Sequence, residues 1–149
     1  MNQVYRSIAG VALALLAGVG MCKWDKLSAV ELRQNPLGNF HLLVSNGSYT
    51  DDKVDIKVLI DGQVAVYRTF RSNPLRMWDG KGYIYKLDPG EHELQAYCNM
   101  GPTEFSTTFT VEGDTYGLLS YVYFPDSDDP EASQRHFSFS VLDHQPMFL

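Results

Sequence analysis

Two runs of alternating side chains around an Asp-Gly pair decide the fold of this chain. Residues 53–70 read Lys53-Val-Asp-Ile-Lys-Val-Leu-Ile-Asp-Gly-Gln-Val-Ala-Val-Tyr-Arg-Thr-Phe70. An alternation with a period of two puts successive side chains on opposite faces, as in a half-buried β-strand. Asp61 and Gly62 both tolerate the positive φ angles of a type I′ turn. The stretch therefore predicts a β-hairpin whose inner row is formed by Val54, Ile56, Val58, Ala65 and Tyr67.

The same period of two extends over most of the chain. Of the 149 residues, 13% are aromatic, and aromatic residues favour strands. Gly, Pro, Asn and Asp interrupt the alternation at regular intervals, which is typical of an antiparallel β-sandwich or barrel. Eight strands are predicted, at residues 40–44, 53–60, 63–70, 83–87, 91–98, 103–111, 116–124 and 136–142.

One short segment resembles a known family. The segment Tyr85-Lys-Leu-Asp-Pro-Gly-Glu-His-Glu-Leu-Gln-Ala96 is similar to the corner of fibronectin type III and related immunoglobulin-like domains, where Leu-x-Pro-Gly leads into an alternating strand. In that family an aromatic residue, usually tyrosine, tends to occupy the position of His92. The resemblance covers about a dozen residues. It implies an all-β, antiparallel, immunoglobulin-like sandwich of about 7–8 strands, and it implies no activity.

The N-terminus carries the features of a secretory signal peptide. Arg6 supplies a positive charge, and residues 8–19 are apolar without a charge. This run is shorter than the approximately 20 residues that a membrane-spanning helix needs, and it has the length of a signal-peptide core. We therefore expect residues 1–21 to be a signal peptide, residues 22–39 a tether and residues 40–149 the sandwich domain.

The sequence around Cys22 resembles a bacterial lipoprotein signal. In Val19-Gly20-Met21-Cys22 the cysteine would follow the cleavage site and become lipidated, although Met21 stands where that signal has a smaller residue. Ordinary signal cleavage is the alternative, and it would leave Cys22 free to form a disulfide with Cys98. Because Cys98 ends an apolar strand face, we expect it to be a buried, unreactive thiol. Both alternatives predict an exported protein, either periplasmic or anchored to the membrane by lipid.

The charge of the mature chain limits its partners. Removal of residues 1–21 would take away Arg6 and leave 11 basic and 18 acidic residues, a net charge of −7. Binding to nucleic acid requires clustered Lys and Arg, so nucleic acid is not an expected partner. Contact with a membrane is expected only through an N-terminal lipid anchor.

No pattern typical of catalysis is present in the sequence. The four histidines, His41, His92, His136 and His144, do not have the spacing of metal ligands. The sequence contains neither a Gly-x-Ser-x-Gly nucleophile motif nor a glycine-rich phosphate loop. Cys98 has no identifiable activating partner. We therefore expect a protein that is not an enzyme.

An acidic loop before the last predicted strand is the only candidate metal site. Calcium binds several carboxylate and carbonyl oxygens at once. The loop could supply these ligands from Asp126, Asp128, Asp129 and Glu131. A solvated acidic loop is the alternative explanation of this cluster. No other cofactor is expected.

Aromatic residues are the candidate binding residues. Tyr121 and Tyr123 alternate on one face of a predicted strand, and Trp78 lies in a predicted loop. Exposed rings of this kind can bury into a protein partner or stack against sugars. If Leu118 and Val122 face the core, both tyrosines are exposed; otherwise, the rings fill the core.

Two functions agree with these observations. The first is a non-catalytic binding or structural module outside the cytoplasm, which contacts another envelope protein through Trp78, Tyr121 and Tyr123. The alternative is a carbohydrate-binding module that uses the same aromatic residues to hold a polysaccharide, with calcium at the acidic loop.

Overall fold

The computed structural model describes residues 30–72 and 82–147. The predicted signal peptide, Cys22 and Trp78 lie outside these ranges. The described residues form eight strands, and each strand end lies within two residues of its predicted position. In chain order they are β1 (Phe40–Asn46), β2 (Lys53–Ile60), β3 (Gln63–Arg71), β4 (Gly82–Tyr85), β5 (Gly90–Cys98), β6 (Thr103–Val111), β7 (Thr115–Val122) and β8 (His136–Leu142).

The strands form two four-stranded sheets. The first sheet has the order β4-β1-β7-β8, and the second has the order β3-β2-β5-β6. All pairings are antiparallel except that of β1 with β7, which is parallel. The predicted all-β sandwich is therefore confirmed. The part of the chain that the structure describes contains no helix with the length and hydropathy needed to cross a bilayer.

The strand order differs from that of an immunoglobulin domain. In immunoglobulin constant domains the first, second, fourth and fifth strands share one sheet. Here β1 and β2 lie in opposite sheets, and so do β4 and β5. The sandwich architecture is shown, but the immunoglobulin-like topology is not confirmed.

The core lies between the two sheets and is built from alternate residues of each strand. This alternation follows from the pleat, which sends every second side chain to the same face. The largest fully buried side chains of this core are Tyr85, Tyr121, Phe40, Leu42, Ile56, Ile60, Leu94 and Leu119. The phenyl rings of Phe40 and Phe109 stack at 4.7 Å between centroids and link the two sheets across the core.

The β2–β3 hairpin is confirmed, but its register differs from the prediction by one residue. Both turn residues have positive φ, 49° at Asp61 and 77° at Gly62, as a type I′ turn requires. The register shifts after Val58, which leaves Ala65 as an extra residue on β3. Such a bulge moves every later side chain to the opposite face. Val66 is therefore buried, and Tyr67 is 63% exposed on the outer face of the second sheet.

Residues 30–39 belong to the domain, contrary to the predicted tether. The amide of Leu32 donates to the Val64 carbonyl at the outer edge of β3, 2.8 Å away. The amide of Asn35 donates to the Ile84 carbonyl at the outer edge of β4, 2.9 Å away. The domain therefore begins before residue 40. These contacts use backbone groups, so the side-chain pattern gives no sign of them.

His92 closes the corner between β4 and β5. Its Nε2 atom lies 2.7 Å from the Asp88 carbonyl oxygen, four residues upstream. Its Nδ1 atom lies 2.6 Å from Oδ2 of Asp61, at the β2–β3 turn. Burial disfavours the charged ring, but the bonds to Asp61 and Asp88 outweigh it and raise the pKa of His92 above its usual 6.5. Burial also opposes ionisation of Asp61, whose pKa is nevertheless lowered by His92.

We expect the contribution of this ion pair to depend on pH. His92, with a raised pKa, stabilises the fold below about pH 6.5, and this contribution is lost as the pH rises through the folded-state pKa. Asp61, with a lowered pKa, stabilises the fold above about pH 4. In chemical denaturation, His92→Gln should cost about 1 kcal/mol between these limits and less at alkaline pH. Asp61→Asn and the double variant complete a double-mutant cycle, which gives the coupling free energy between the two side chains. A coupling free energy that does not change with pH would contradict the ion pair.

Candidate functional site

Three described loops meet at one end of the sandwich, which we call the loop end. It consists of residues 47–52, 99–102 and 123–135. Because β1 and β7 are parallel, the loops that follow them leave the first sheet on the same side. Pairing of Ile56 with Cys98 brings the β5–β6 turn to the start of β2, at this same end. Loops held at the end of a rigid sandwich are frequent binding surfaces.

Asp51 is the centre of the polar contacts at the loop end. The Tyr121 hydroxyl donates to Oδ2 of Asp51 at 2.6 Å. Arg135 donates to the same carboxylate from Nε at 3.1 Å and from Nη2 at 3.3 Å. Burial opposes ionisation of Asp51, but these bonds keep its pKa below the usual value. The carboxylate is therefore charged at neutral pH and fixes the position of Arg135.

The structure contradicts the prediction that Tyr121 is an exposed binding residue. Its side chain is 0% exposed and lies in the core, where its ring contacts Phe137 edge-on at 5.8 Å. Parallel pairing of β7 with β1 sends Leu119 and Tyr121 inward. Gly101 leaves room for the hydroxyl, because a side chain there would collide with it. Tyr121 acts from below the surface by orienting Asp51.

Tyr123 lies partly exposed at the loop end, just beyond β7. Its ring lies beneath the Arg135 guanidinium, whose carbon is 4.0 Å from the ring centroid. The Ser48 hydroxyl donates to the Tyr123 carbonyl at 3.1 Å and ties this residue to the β1–β2 loop. Tyr123 therefore shares with Asp51 the task of holding Arg135, through a cation–π contact.

Two exposed residues of the loop end escaped the sequence-based prediction. Tyr49 is 68% exposed, and its ring lies 4.9 Å from that of Phe124. Met100 is 62% exposed in the β5–β6 turn, beside the glycine that contacts Tyr121. Both lie in loops, where no alternation signals their orientation. The signal that could have identified them in the sequence is a large apolar residue within an otherwise polar turn.

The acidic loop does not assemble the predicted calcium site. The four candidates Asp126, Asp128, Asp129 and Glu131 are all exposed. Oδ1 of Asp129 accepts from the amide of Glu131 at 2.9 Å and so stabilises a local turn. In residues 30–72 and 82–147, no three His, Cys, Asp or Glu side chains come together as a metal-binding group. The carboxylates point into solvent, because the turn encloses no space that they could line together.

Cys98 is the buried thiol that the sequence predicts. Its Sγ atom accepts from the amide of Gly101 at 3.2 Å and lies 3.6 Å from Oδ1 of Asp55. Burial raises the pKa of the thiol to about 11. Since the thiolate is the nucleophilic form, Cys98 is unreactive at neutral pH.

The loop end thus presents Tyr49 and Met100 to solvent, next to an Arg135 held between Asp51 and Tyr123. The groups it offers are rings, a thioether and a guanidinium, which suit contact by apolar burial and hydrogen bonding. No family model, curated protein or solved structure matches this chain.

Proposed function

We propose that this chain is a non-catalytic binding module that works outside the cytoplasm and contacts another protein of the cell envelope through the loop end. The observation that carries the proposal is the exposure of Tyr49 and Met100 beside a fixed Arg135. Tyr, Met and Arg are enriched in protein interfaces, and Tyr and Arg supply much of the binding energy.

The order of the loop end favours binding over a purely solvated surface. Arg135 is held by a carboxylate and by an aromatic ring, so a partner would not have to immobilise it. Side chains that are positioned before binding lower the entropic cost of association. Arg135 can therefore serve as a fixed polar contact at the end of the sandwich that also exposes Tyr49 and Met100.

The chemistry of the loop end supports a role without catalysis. The thiol of Cys98 is buried and protonated at neutral pH. The Tyr121 hydroxyl donates a hydrogen bond to Asp51, and burial together with that carboxylate raises the pKa of Tyr121. Neither group is available as a nucleophile at neutral pH. The location outside the cytoplasm rests on the sequence of residues 1–22, with Cys22 as the point of lipid attachment.

A photo-crosslinking amino acid at position 49 tests the proposal on the full chain in intact cell envelopes. We expect one predominant protein adduct from position 49. Adding Met100→Ser should reduce its yield about tenfold, as loss of an interface anchor does. Tyr67 is the matched control, because it is similarly exposed, at 63%, but lies on the outer face of the second sheet.

The same experiment distinguishes the alternatives. Equal adducts from positions 49 and 67 would show that the loop end has no selective partner. Binding of the full chain to purified envelope polysaccharide, lost with Tyr49→Ser and without any protein adduct, would replace the proposal with the carbohydrate-binding function.

A further inference from the structure

The two open sides of the sandwich differ in how their edge strands are covered. On one side, residues 30–39 pair with the outer edges of β3 and β4. On the other side, β6 and β8 are the edge strands. In the described residues, β8 pairs with β7 alone. Its outer edge therefore presents backbone donors and acceptors that another strand can use.

β8 lacks the devices that usually protect an edge strand. Natural edges carry charged residues, prolines or bulges. The sequence of β8 is His136-Phe-Ser-Phe-Ser-Val-Leu142, without Asp, Glu, Lys, Arg or Pro. Its pairing with β7 runs over all seven residues without a shift. By contrast, β3 carries Arg68 and Arg71, and β6 carries Glu104.

We propose that β8 pairs with β8 of a second copy of this chain, in antiparallel orientation around a twofold axis at Phe139. This register joins the two first sheets into one eight-stranded sheet. In this register every residue of β8 has a partner in the second copy. The two side chains of each facing pair lie on the same face of the joined sheet, as antiparallel pairing requires. The facing pairs are His136 with Leu142, Phe137 with Val141, Ser138 with Ser140, and Phe139 with itself.

Charges next to the strand favour a second copy as the occupant. Arg135 directly precedes β8 and Asp143 directly follows it. In the proposed register each Arg135 lies opposite Asp143 of the second copy, once at each end. Arg135 bonds Asp51 of its own chain through Nε and Nη2, so it can keep that pair and face Asp143 with Nη1. This complementarity offsets part of the repulsion between two chains of net charge −6.

The apolar side chains of β8 gain cover in the pair. Val141 is 41% exposed and Phe139 is partly buried, with its ring 5.8 Å from that of Phe109. In the pair, Phe137 of one copy lies beside Val141 of the other, which extends the core row across the axis. Because a single strand pairing buries little area, we expect a dissociation constant on the order of micromolar.

Charge substitutions at Ser138 and Ser140 test the pairing. Both serines are exposed, so their substitution leaves the core of the single chain intact. The double variant Ser138→Lys with Ser140→Lys places a lysine opposite a lysine at two positions of the pair. It should raise the dissociation constant of the full-chain dimer about tenfold or more. Ser138→Glu with Ser140→Lys places opposite charges there and should restore the dimer. Sedimentation velocity over a concentration series measures both effects.

A matched control separates the register from the overall charge. Gln63→Lys with Thr69→Lys adds the same charge at exposed positions on β3 and should leave dimerisation unchanged. A wild-type chain that stays monomeric up to about 300 µM would overturn the proposal. So would a dimer that survives Ser138→Lys with Ser140→Lys, or one that Ser138→Glu with Ser140→Lys fails to restore. None of these outcomes depends on the loop-end partner.

Discussion

Replacing Tyr121 with alanine is expected to lower the free energy of unfolding by about 4 kcal/mol. The side chain is fully buried, and its ring contacts Phe137 in the core. Its removal leaves a cavity and takes a hydrogen bond from Asp51. Denaturant unfolding of the full chain would show the change as a lower transition midpoint.

The control for Tyr121 is Tyr121→Phe, which keeps the ring and removes the hydroxyl. We expect it to cost about 1.5 kcal/mol, because Asp51 loses one donor while keeping Arg135. An alanine variant that loses less than about 0.5 kcal/mol would place Tyr121 on the surface. Such a result would return it to the group of candidate contact residues.

Gly38→Ala is expected to destabilise the protein by about 3 kcal/mol. A side-chain carbon at Gly38 would collide with the carbonyl group of Tyr85. Tyr85 cannot move aside easily, since it is fully buried and its hydroxyl donates to the Ala65 carbonyl at 2.6 Å. The substitution should therefore separate residues 30–39 from the edge of β4.

Gly82→Ala is the matched control for this effect. Gly82 begins β4, and no described atom lies within 4 Å of a carbon added there. We expect a change within about 0.5 kcal/mol. Equal effects of both substitutions on the unfolding midpoint would mean that residues 30–39 do not pack against β4 as described.

The corner at His92 shows what a short local resemblance can supply. The segment around Pro89 and Gly90 led to an alternating strand, as predicted, and β5 begins at Gly90. His92 bonds to the backbone carbonyl of Asp88, four residues upstream. The strand after the turn is present, and the resemblance carried no information about which strands share a sheet.

The candidate site could be predicted only in part. Tyr123 lies partly exposed at the loop end, where its ring contacts Arg135, and its role in binding stays a prediction. Tyr121 points to the same side of the chain as Tyr123, but at Tyr121 that side faces the core. Both faces of β7 carry apolar residues, such as Leu118 and Leu119, so the pattern along the strand does not say which face is inward. The partners of Asp51 come from segments about 70 and 84 residues away, beyond any local pattern.

The sequence by itself determined the eight strands, their turns and the burial of Cys98. These features depend on the two-residue period and on turn chemistry, both of which are local. The tertiary structure alone decided how the strands divide between the sheets, the parallel pairing of β1 with β7, the bulge at Ala65 and the inward face of β7. The physical reason is that a strand's pleat gives it two faces, whereas the neighbouring strands select which face is buried.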